Sequence, residues 1–524
     1  MKTIPKVGGG ASVAQARQTV LTILGSRARA DSRALAFGEG RSGRSLTYGE
    51  LGRQVEEWLQ AFAVHGVRPG HRVGLRIRDP LAFTVGYLSV IGAGLTAVPM
   101  PPEAPATEAA RLAGLLGIDL VVTDRPELAY TTINWPLEST KGSWAVPAGR
   151  RPPPPRPRPG PDPALILLSS GSTGMAKAVP LSEGQLLRVA RIISHHQDLG
   201  PGEVGYSPLP LFHVNGQVVG VLSAIVSGSA LVLEDRFHAS DFWAITASRH
   251  VTWLNLVPAM LAILGAAPAP REAAALRFAR SASAPLARAV RARFEETCGV
   301  SVLETYGMTE AASQIAANPL AKAERRAGSV GQPLGVTVRV AAPGGRATMP
   351  GEVGEVCIAG DNVVSEYIVP GSAEGRRPAT DAGGWLRTGD LGWVDPDGFL
   401  YLTARTDDVI NRGGEKIFPR EIEEVLLSHP AVAEAVAIGV PNDVLGQTTV
   451  AYVTSRPGIA PEVLTEHLAE LCRRQLSAYK RPERIVVVAA LPKGATGKVR
   501  RMALKEWAVA QADGRVLPTA LVPG

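Results

Sequence analysis

Cysteine is scarce: Cys298, Cys357 and Cys472 are the only three among 524 residues, 59 and 115 positions apart. So sparse a set excludes a disulfide scaffold, and no Cys-x-x-Cys pair exists to build a thiolate zinc site. A reducing, cytoplasmic setting is the expectation. Long unbroken apolar runs are missing as well. Residues 81–102 and 212–233 carry no Asp, Glu, Lys or Arg, and each is long enough on paper to span a bilayer. The first is broken by Gly86, Gly92, Gly94 and three prolines, the second by Asn215, Gln217 and a Ser227-Gly228-Ser229 turn. Both read as a buried helix, a turn and a buried strand, so no membrane span is expected. Residues 19–24 are too short and too rich in threonine for a signal peptide and read as the first amphipathic helix. A basic stripe is also lacking. The formal charge of +7 is dilute on this length, and no nucleic-acid module is recognisable, so nucleic-acid binding is not expected. There is no internal repeat at a fixed period.

What is present is alternation. Short apolar runs at 72–77, 95–98, 120–122, 164–168 and 230–233 are separated by helix-period stretches such as 50–64 and 182–193. This predicts an α/β fold with mainly parallel sheet. Residues 150–163 hold eight prolines and four arginines in fourteen positions and read as a stiff surface connector. From about Val409 a smaller unit of mixed helix and strand follows. Gly38, Gly40 and Gly43 satisfy the dinucleotide Gly-x-Gly-x-x-Gly spacing, but the following Arg44-Ser45-Leu46-Thr47-Tyr48 looks like a second strand. A hairpin turn is the reading, and a Rossmann site is rejected.

The run from Leu165 to Lys177, Leu-Ile-Leu-Leu-Ser-Ser-Gly-Ser-Thr-Gly-Met-Ala-Lys, passes from a buried strand into glycines and hydroxyls and then a lysine, with a helix expected from Ser182. Glycines let backbone N–H groups converge on an anion, and hydroxyls and an ammonium add charge-assisted bonds. This is a phosphate cradle, distinct from a Walker loop because no Gly-Lys-Ser/Thr follows.

The segment resembles the phosphate loop of the adenylate-forming (AMP-binding) enzymes, which include acyl-CoA synthetases, luciferases and carrier-loading adenylation domains. Four further motifs recur in the family's order: Tyr306-Gly307-Met308-Thr309-Glu310, Trp385 to Asp390, Arg405 to Gly414, and Leu491 to Lys498. The resemblance is nearest to the acyl-CoA ligases. It implies a large N-terminal lobe of mainly parallel sheets with helices, residues 1–406, and a small mobile α+β C-terminal lobe, 407–524. It implies two half-reactions: a carboxylic acid attacks the ATP α-phosphate to give an acyl-adenylate, then the coenzyme A thiol displaces AMP. Ser169, Thr173, Gly174 and Lys177 would hold phosphates, Thr309 the α-phosphate and Glu310 a magnesium ion. Asp390, supported by Arg405, would bind the ribose diol, and Tyr306 would face adenine opposite Ser283, Ala284 and Pro285. Lys498 would be the catalytic lysine, Asp407 the hinge and His213, beside Phe212, a gate at the acyl pocket or a packed core residue. Gly413 and Gly414 would let pantetheine pass, while Arg412 and Lys416 meet CoA phosphates or stand solvated. His195 and His196 read as helix-surface residues.

Departures from the family pattern are Ala176, Ala178 and Ala282, and these bear on the ATP-using step. The alternatives are therefore a ligase acting mainly on acyl-adenylate supplied by a partner enzyme, or one loading a carrier protein. Gly216, Ala259, Ala311 and Ala312 suggest room for a bulky acid. A monomer or homodimer is expected.

Overall fold

The computed structural model describes residues 18–124, 133–136, 138–140, 143–145, 152, 154–155, 161–169, 177–266, 275–369, 375–494 and 499–512. Two large sheets dominate residues 18–378. One has the order Ile133–Pro136, Leu120–Thr123, Arg72–Arg76, Thr96–Pro99, Leu165–Ser169, Lys177–Leu181, Glu366–Ile368, Arg376–Pro378. Its first five strands are parallel and the last three antiparallel. The other sheet carries, side by side and all parallel, Leu35–Glu39, Ala230–Leu233, Val204–Ser207, Trp253–Leu256, Phe278–Ser281 and Val302–Tyr306. Their apolar runs are buried on both faces, as parallel strands covered by helices must be.

Residues 81–102 form the helix Pro80–Gly92 and the strand Thr96–Pro99. Asp79 caps that helix by accepting from the Leu81 and Ala82 amides, and Pro80 occupies its first turn, where no N–H is needed. The helix is buried almost throughout, in the same apolar cluster as Leu75 of the first sheet and Phe37 and Leu231 of the second. Removal of that much apolar surface from water, about 25 cal/mol per Å², is what holds the two sheets together. Residues 38–43 turn a hairpin between Leu35–Glu39 and Ser45–Thr47, as expected. Residues 20–30 form the first helix.

Two features go beyond what the sequence led us to expect. Between the phosphate loop and the helix Glu183–His196 lies a return strand, Lys177–Leu181, antiparallel to Leu165–Ser169. Ala178 is a fully buried rung of that ladder, so its methyl fills core rather than stiffening a loop. The helix after His213 begins as a π-helix, Asn215–Leu222. Its wide turn is closed by the Ser223 backbone N–H, which donates to the Val218 carbonyl five residues back, and the Ser223 hydroxyl adds a second bond to the same carbonyl at 2.8 Å.

The chain continues into an antiparallel sheet, Thr337–Ala341, Gly354–Ala359, Leu386–Val394 and Leu400–Arg405. A last sheet follows, of Glu415–Ile417, Ile410–Arg412, Gly446–Ser455, Val432–Asn442 and Arg484–Val487. It is covered by the helices Pro419–Leu427, Pro461–Gln475 and Arg501–Ala512, with apolar clusters of its own. Among the described residues no helix is long and apolar enough to cross a membrane.

Candidate active site

The site begins where the parallel strand Val302–Tyr306 ends. Gly307 follows, and a Cβ there would stand 1.5 Å from the Ser313 carbonyl oxygen, so only glycine lets the chain fold back. The reversal passes through the tight turn Thr309–Ala311 and two residues of positive φ, Ala312 at 50° and Ser313 at 94°. Such backbone is costly for residues with side chains and concentrates at functional sites. It drives Glu310 inward, to 5% exposure. The Tyr367 hydroxyl donates to Glu310 Oε1 at 3.3 Å. Burial raises the Glu310 carboxyl above its ordinary value, against the pull of that hydroxyl, Lys177 and Arg405. Lys177 Nζ lies 5.2 Å from the centre of the Tyr367 ring, and the Arg377 guanidinium 5.1 Å.

Asp390 sits on the neighbouring antiparallel sheet, directly opposite Arg405. The Tyr306 hydroxyl donates to its Oδ2 at 2.5 Å, and Arg405 Nη1 approaches Oδ1 at 3.3 Å. Its own amide donates to the Thr388 hydroxyl. Burial and the adjacent Asp390 charge raise the Tyr306 phenol well above its ordinary value, so it stays a donor. Tyr306, Asp390, Arg405, Ser283, Ala284 and Pro285 line one cavity of about 190 Å³. Ser283 reaches it in a left-handed conformation, φ 71°, and accepts from Asn215 Nδ2 at 3.4 Å.

His213 lies just before the π-helix, its ring centre 4.4 Å from that of Phe212. Its Nε2 is buried with no partner among the described residues, and burial pushes the imidazole down to about 4. It is therefore neutral at pH 7, with an acceptor or N–H to offer. Phe212 lines a second cavity, of about 560 Å³, with Phe83, Phe237 and Met260. The small residues do not open space as expected: a Cβ on Gly216 would stand 2.9 Å from the Pro210 carbonyl, and Ala311 and Ala312 are fully packed. Ala259 lines the second cavity, beside Phe212 and Met260. His195 is exposed as expected, but His196 turns inward, where burial and the nearby Arg280 lower its pKa.

Other expected residues stand apart. Arg412 and Lys416 lie on the hairpin of Ile410–Arg412 and Glu415–Ile417, with Gly413 and Gly414 at its tip. Arg412 donates to the Tyr479 carbonyl at 3.0 Å, Lys416 is exposed, and none of the four lines the 190 Å³ cavity. Asp407 is exposed in the short turn Thr406–Asp408 that links the two regions. Ser169 ends its strand opposite Lys177. Thr173, Gly174, Ala176 and Lys498 lie outside the described residues, as does most of 150–163.

Sequence reasoning missed several groups. Tyr367 bonds Glu310 from 57 residues away in sequence and faces Lys177, which lies far earlier in the chain, separations that carry no spacing signal. Glu304, pushed up to about 7 by burial, lines the same cavity, together with Arg420, Glu423 and Arg501 from the C-terminal elements. Arg501 ties Glu423 at 2.5 Å to Asp408 at 3.4 Å.

These strand-end groups, gathered from three separated motifs, match a known class. The sequence model of the AMP-binding enzyme matches residues 25–368, and that of the AMP-binding enzyme C-terminal domain residues 421–498. The chain belongs to the AMP-binding enzyme family. It is 42% identical to a sulfoacetate–CoA ligase of Cupriavidus necator over 65% of this chain and 66% of that protein. It is 34% identical to an oxalate–CoA ligase of Arabidopsis thaliana over 90% of this chain and 94% of that one. Matches to the first three relatives thus span about two thirds of their length, 66%, 68% and 63%. Among solved structures, o-succinylbenzoate CoA synthetase from Bacillus subtilis in complex with its acyl-adenylate superposes with a TM-score of 0.77. It shares 27% identity, with 93% of this chain and 98% of that chain covered. The relatives are CoA ligases, enzymes that join an acid to a thiol through a carbon–sulfur bond.

Proposed function

We propose that this chain is an ATP-dependent acyl-CoA ligase. A carboxylate oxygen of the acid attacks the α-phosphorus of ATP, the α–β P–O bond breaks, and its electron pair leaves with pyrophosphate. The coenzyme A sulfur then attacks the acyl carbon and the bond to AMP breaks, giving the thioester. The observation that carries this reading is the shared cavity in which Tyr306 fixes Asp390, 84 residues away, beside the buried Glu310 turn.

In this reading Asp390, oriented by Tyr306 and Arg405, accepts the ribose hydroxyls. Adenine lies between the Tyr306 face and the Ser283, Ala284 and Pro285 wall. Lys177 with Ser169, Thr173 and Gly174 neutralises the outer phosphates, and Thr309 meets the α-phosphate. Glu310 fits a magnesium ion: it is a buried carboxylate that, among the described residues, one neutral side-chain hydroxyl meets, and burial raises its pKa, so a cation there would offset the cost of its charge. Bound there, magnesium supplies neutralisation of charge building on the phosphates. Lys498 serves the adenylation step and the neutral His213 guards the way from acyl site to thiol. Asp407 is the hinge between residues 1–406 and 407–524, about which the Arg412, Gly413, Gly414 and Lys416 hairpin is carried to CoA. Three buried free thiols suit a reducing cytoplasm. The acids named for the relatives above, sulfoacetate and oxalate, carry a second acidic group, and we take that class as the working substrate.

The test is to supply a panel of acids with ATP, magnesium and CoA, follow acyl-CoA and AMP by mass spectrometry, and run a parallel arm with ready-made acyl-adenylates. Thioester and AMP from free acids are expected. Thioester from adenylates alone would reassign the chain to the second half-reaction, and silence in both arms would overturn the proposal.

A further inference from the structure

Arg280 is among the largest side chains of this protein to be fully buried, at 1% exposure, on the strand Phe278–Ser281 that leads into the Ser283 wall. Buried guanidinium groups ordinarily face a carboxylate, because an unpaired buried charge is expensive. Among the described residues no acidic side chain pairs with this one. Its partners among those residues are two neutral amides: Nη1 donates to Asn255 Oδ1 at 3.2 Å and Nη2 to Gln314 Oε1 at 3.0 Å. Its Nε–H is buried and meets no partner among the described residues. The surroundings do not compensate: His196 feels Arg280 and Arg325 as like charges that disfavour its own protonation.

The group is not isolated from the chemistry. Asn255 Nδ2 donates to Asn215 Oδ1 at 2.9 Å, and Asn215 Nδ2 donates to the Ser283 hydroxyl at 3.4 Å. Ser283 lines the cavity with Tyr306 and Asp390. Asn215 comes two residues after His213, on the π-helix. A polar ledge therefore runs from the cavity wall down to an uncompensated cation that solvent does not reach. An anion is held far more strongly by a guanidinium than a neutral amide oxygen is, so it would displace the Asn255 contact and use the free Nε–H in a forked pair.

Resting on the ligase reading above, we propose that Arg280 is the specificity-determining residue of the acid pocket, holding a second anionic group, carboxylate or sulfonate, carried by the substrate beside its reacting carboxylate. Asn255, Asn215 and Ser283 form the ledge along which that group is seated. The class follows from charge: an acid with an uncharged tail leaves the buried cation unpaired in the complex, as it is in the free protein.

The experiment compares charge at constant shape. Kinetics of thioester formation are measured for pairs of acids, each diacid or sulfonate against its uncharged isostere: oxalate with oxamate, malonate with its monoamide, sulfoacetate with methylsulfonylacetate. The unaltered enzyme should favour the charged member of at least one pair by about 100-fold or more in kcat/KM, mainly through KM. Arg280→Gln should collapse that preference to within about threefold while AMP affinity, read by calorimetry, changes little; Arg280→Lys, which keeps a cation without the fork, should fall between. Preference for uncharged members in the unaltered enzyme would overturn the proposal and leave the ligase reading standing. So would an equal loss for both members together with weakened AMP binding in Arg280→Gln, the mark of a residue that only positions Tyr306 through Gln314, whose Nε2 donates to the Tyr306 carbonyl at 3.3 Å. If no acid gives thioester, the ligase reading itself fails. Thermal stabilisation by the same acid pairs then decides: stabilisation by the charged member that is lost in Arg280→Gln supports the anion site, and stabilisation indifferent to charge or to Arg280 overturns it.

Discussion

The Tyr306–Asp390–Glu310 cluster and the Gly413–Gly414 hairpin are built in opposite ways. The first stands at the ends of packed strands, where each side chain is fixed by another: Tyr306 by Asp390, Asp390 by Arg405, Glu310 by Tyr367. A methyl on Gly307 would collide with backbone at 1.5 Å, whereas one on Gly414 would meet nothing within 4 Å. The hairpin hangs from short strands and is exposed at its tip. In the proposed reading, the preorganised site suits the step in which charge must be stabilised without rearrangement, and the exposed hairpin tip suits groups delivered later by a turn of the chain at 406–408.

That contrast can be broken most severely at Glu310. Glu310→Gln should lower acid-dependent exchange of pyrophosphate into ATP by about 10²–10³-fold, measured with CoA absent. Asp390→Asn should raise the KM for ATP on the order of 10²-fold, because Tyr306 and Arg405 lose a shared charged acceptor. Gly307→Ala should cost more than about 3 kcal/mol in denaturant unfolding, while Gly414→Ala, strained only by its positive φ, should cost about 1 kcal/mol. Acid should sharpen the same difference. His213 titrates near 4 in the folded protein against 6.5 unfolded, so below pH 6.5 the unfolded chain takes up a proton that the folded chain refuses. Its contribution is complete above pH 6.5 and lost progressively between 6.5 and about 4, a fall of about 2–3 kcal/mol that His213→Gln should remove from the stability profile. The smallest effect belongs to the exposed hairpin: Lys416→Ala should raise the KM for CoA only about two- to fivefold and leave pyrophosphate exchange unchanged.

The contiguous part of the site was readable from sequence. Tyr306 to Glu310 and Trp385 to Asp390 are short runs whose chemistry depends on neighbouring positions, and the structure brings Tyr306, Asp390, Arg405 and Ser283 into one cavity. What lay hidden depends on tertiary pairing. Tyr367 and Arg280 meet partners distant in sequence, Glu310 and Asn255, and nothing in their own neighbourhood marks them. The π-helix escaped because residues 215–222 carry the same apolar content as an α-helix, and the wider turn lies in backbone bonding, such as the Ser223 N–H to the Val218 carbonyl five residues back. Lys177–Leu181 was read past because five residues between a loop and a helix leave too little pattern to count. Gly216 misled through volume alone: a missing side chain suggested room, where backbone already fills it.

The most direct test of the account separates the two regions by reaction. Acid-dependent pyrophosphate–ATP exchange, without CoA, is measured for the unaltered protein, for Asp390→Asn and for the double variant Arg412→Ala, Lys416→Ala. The account predicts exchange that is nearly abolished in Asp390→Asn at low ATP and undiminished in the hairpin variant, whose thioester formation alone is slowed. Exchange lost equally in both variants, or retained in both, would contradict it.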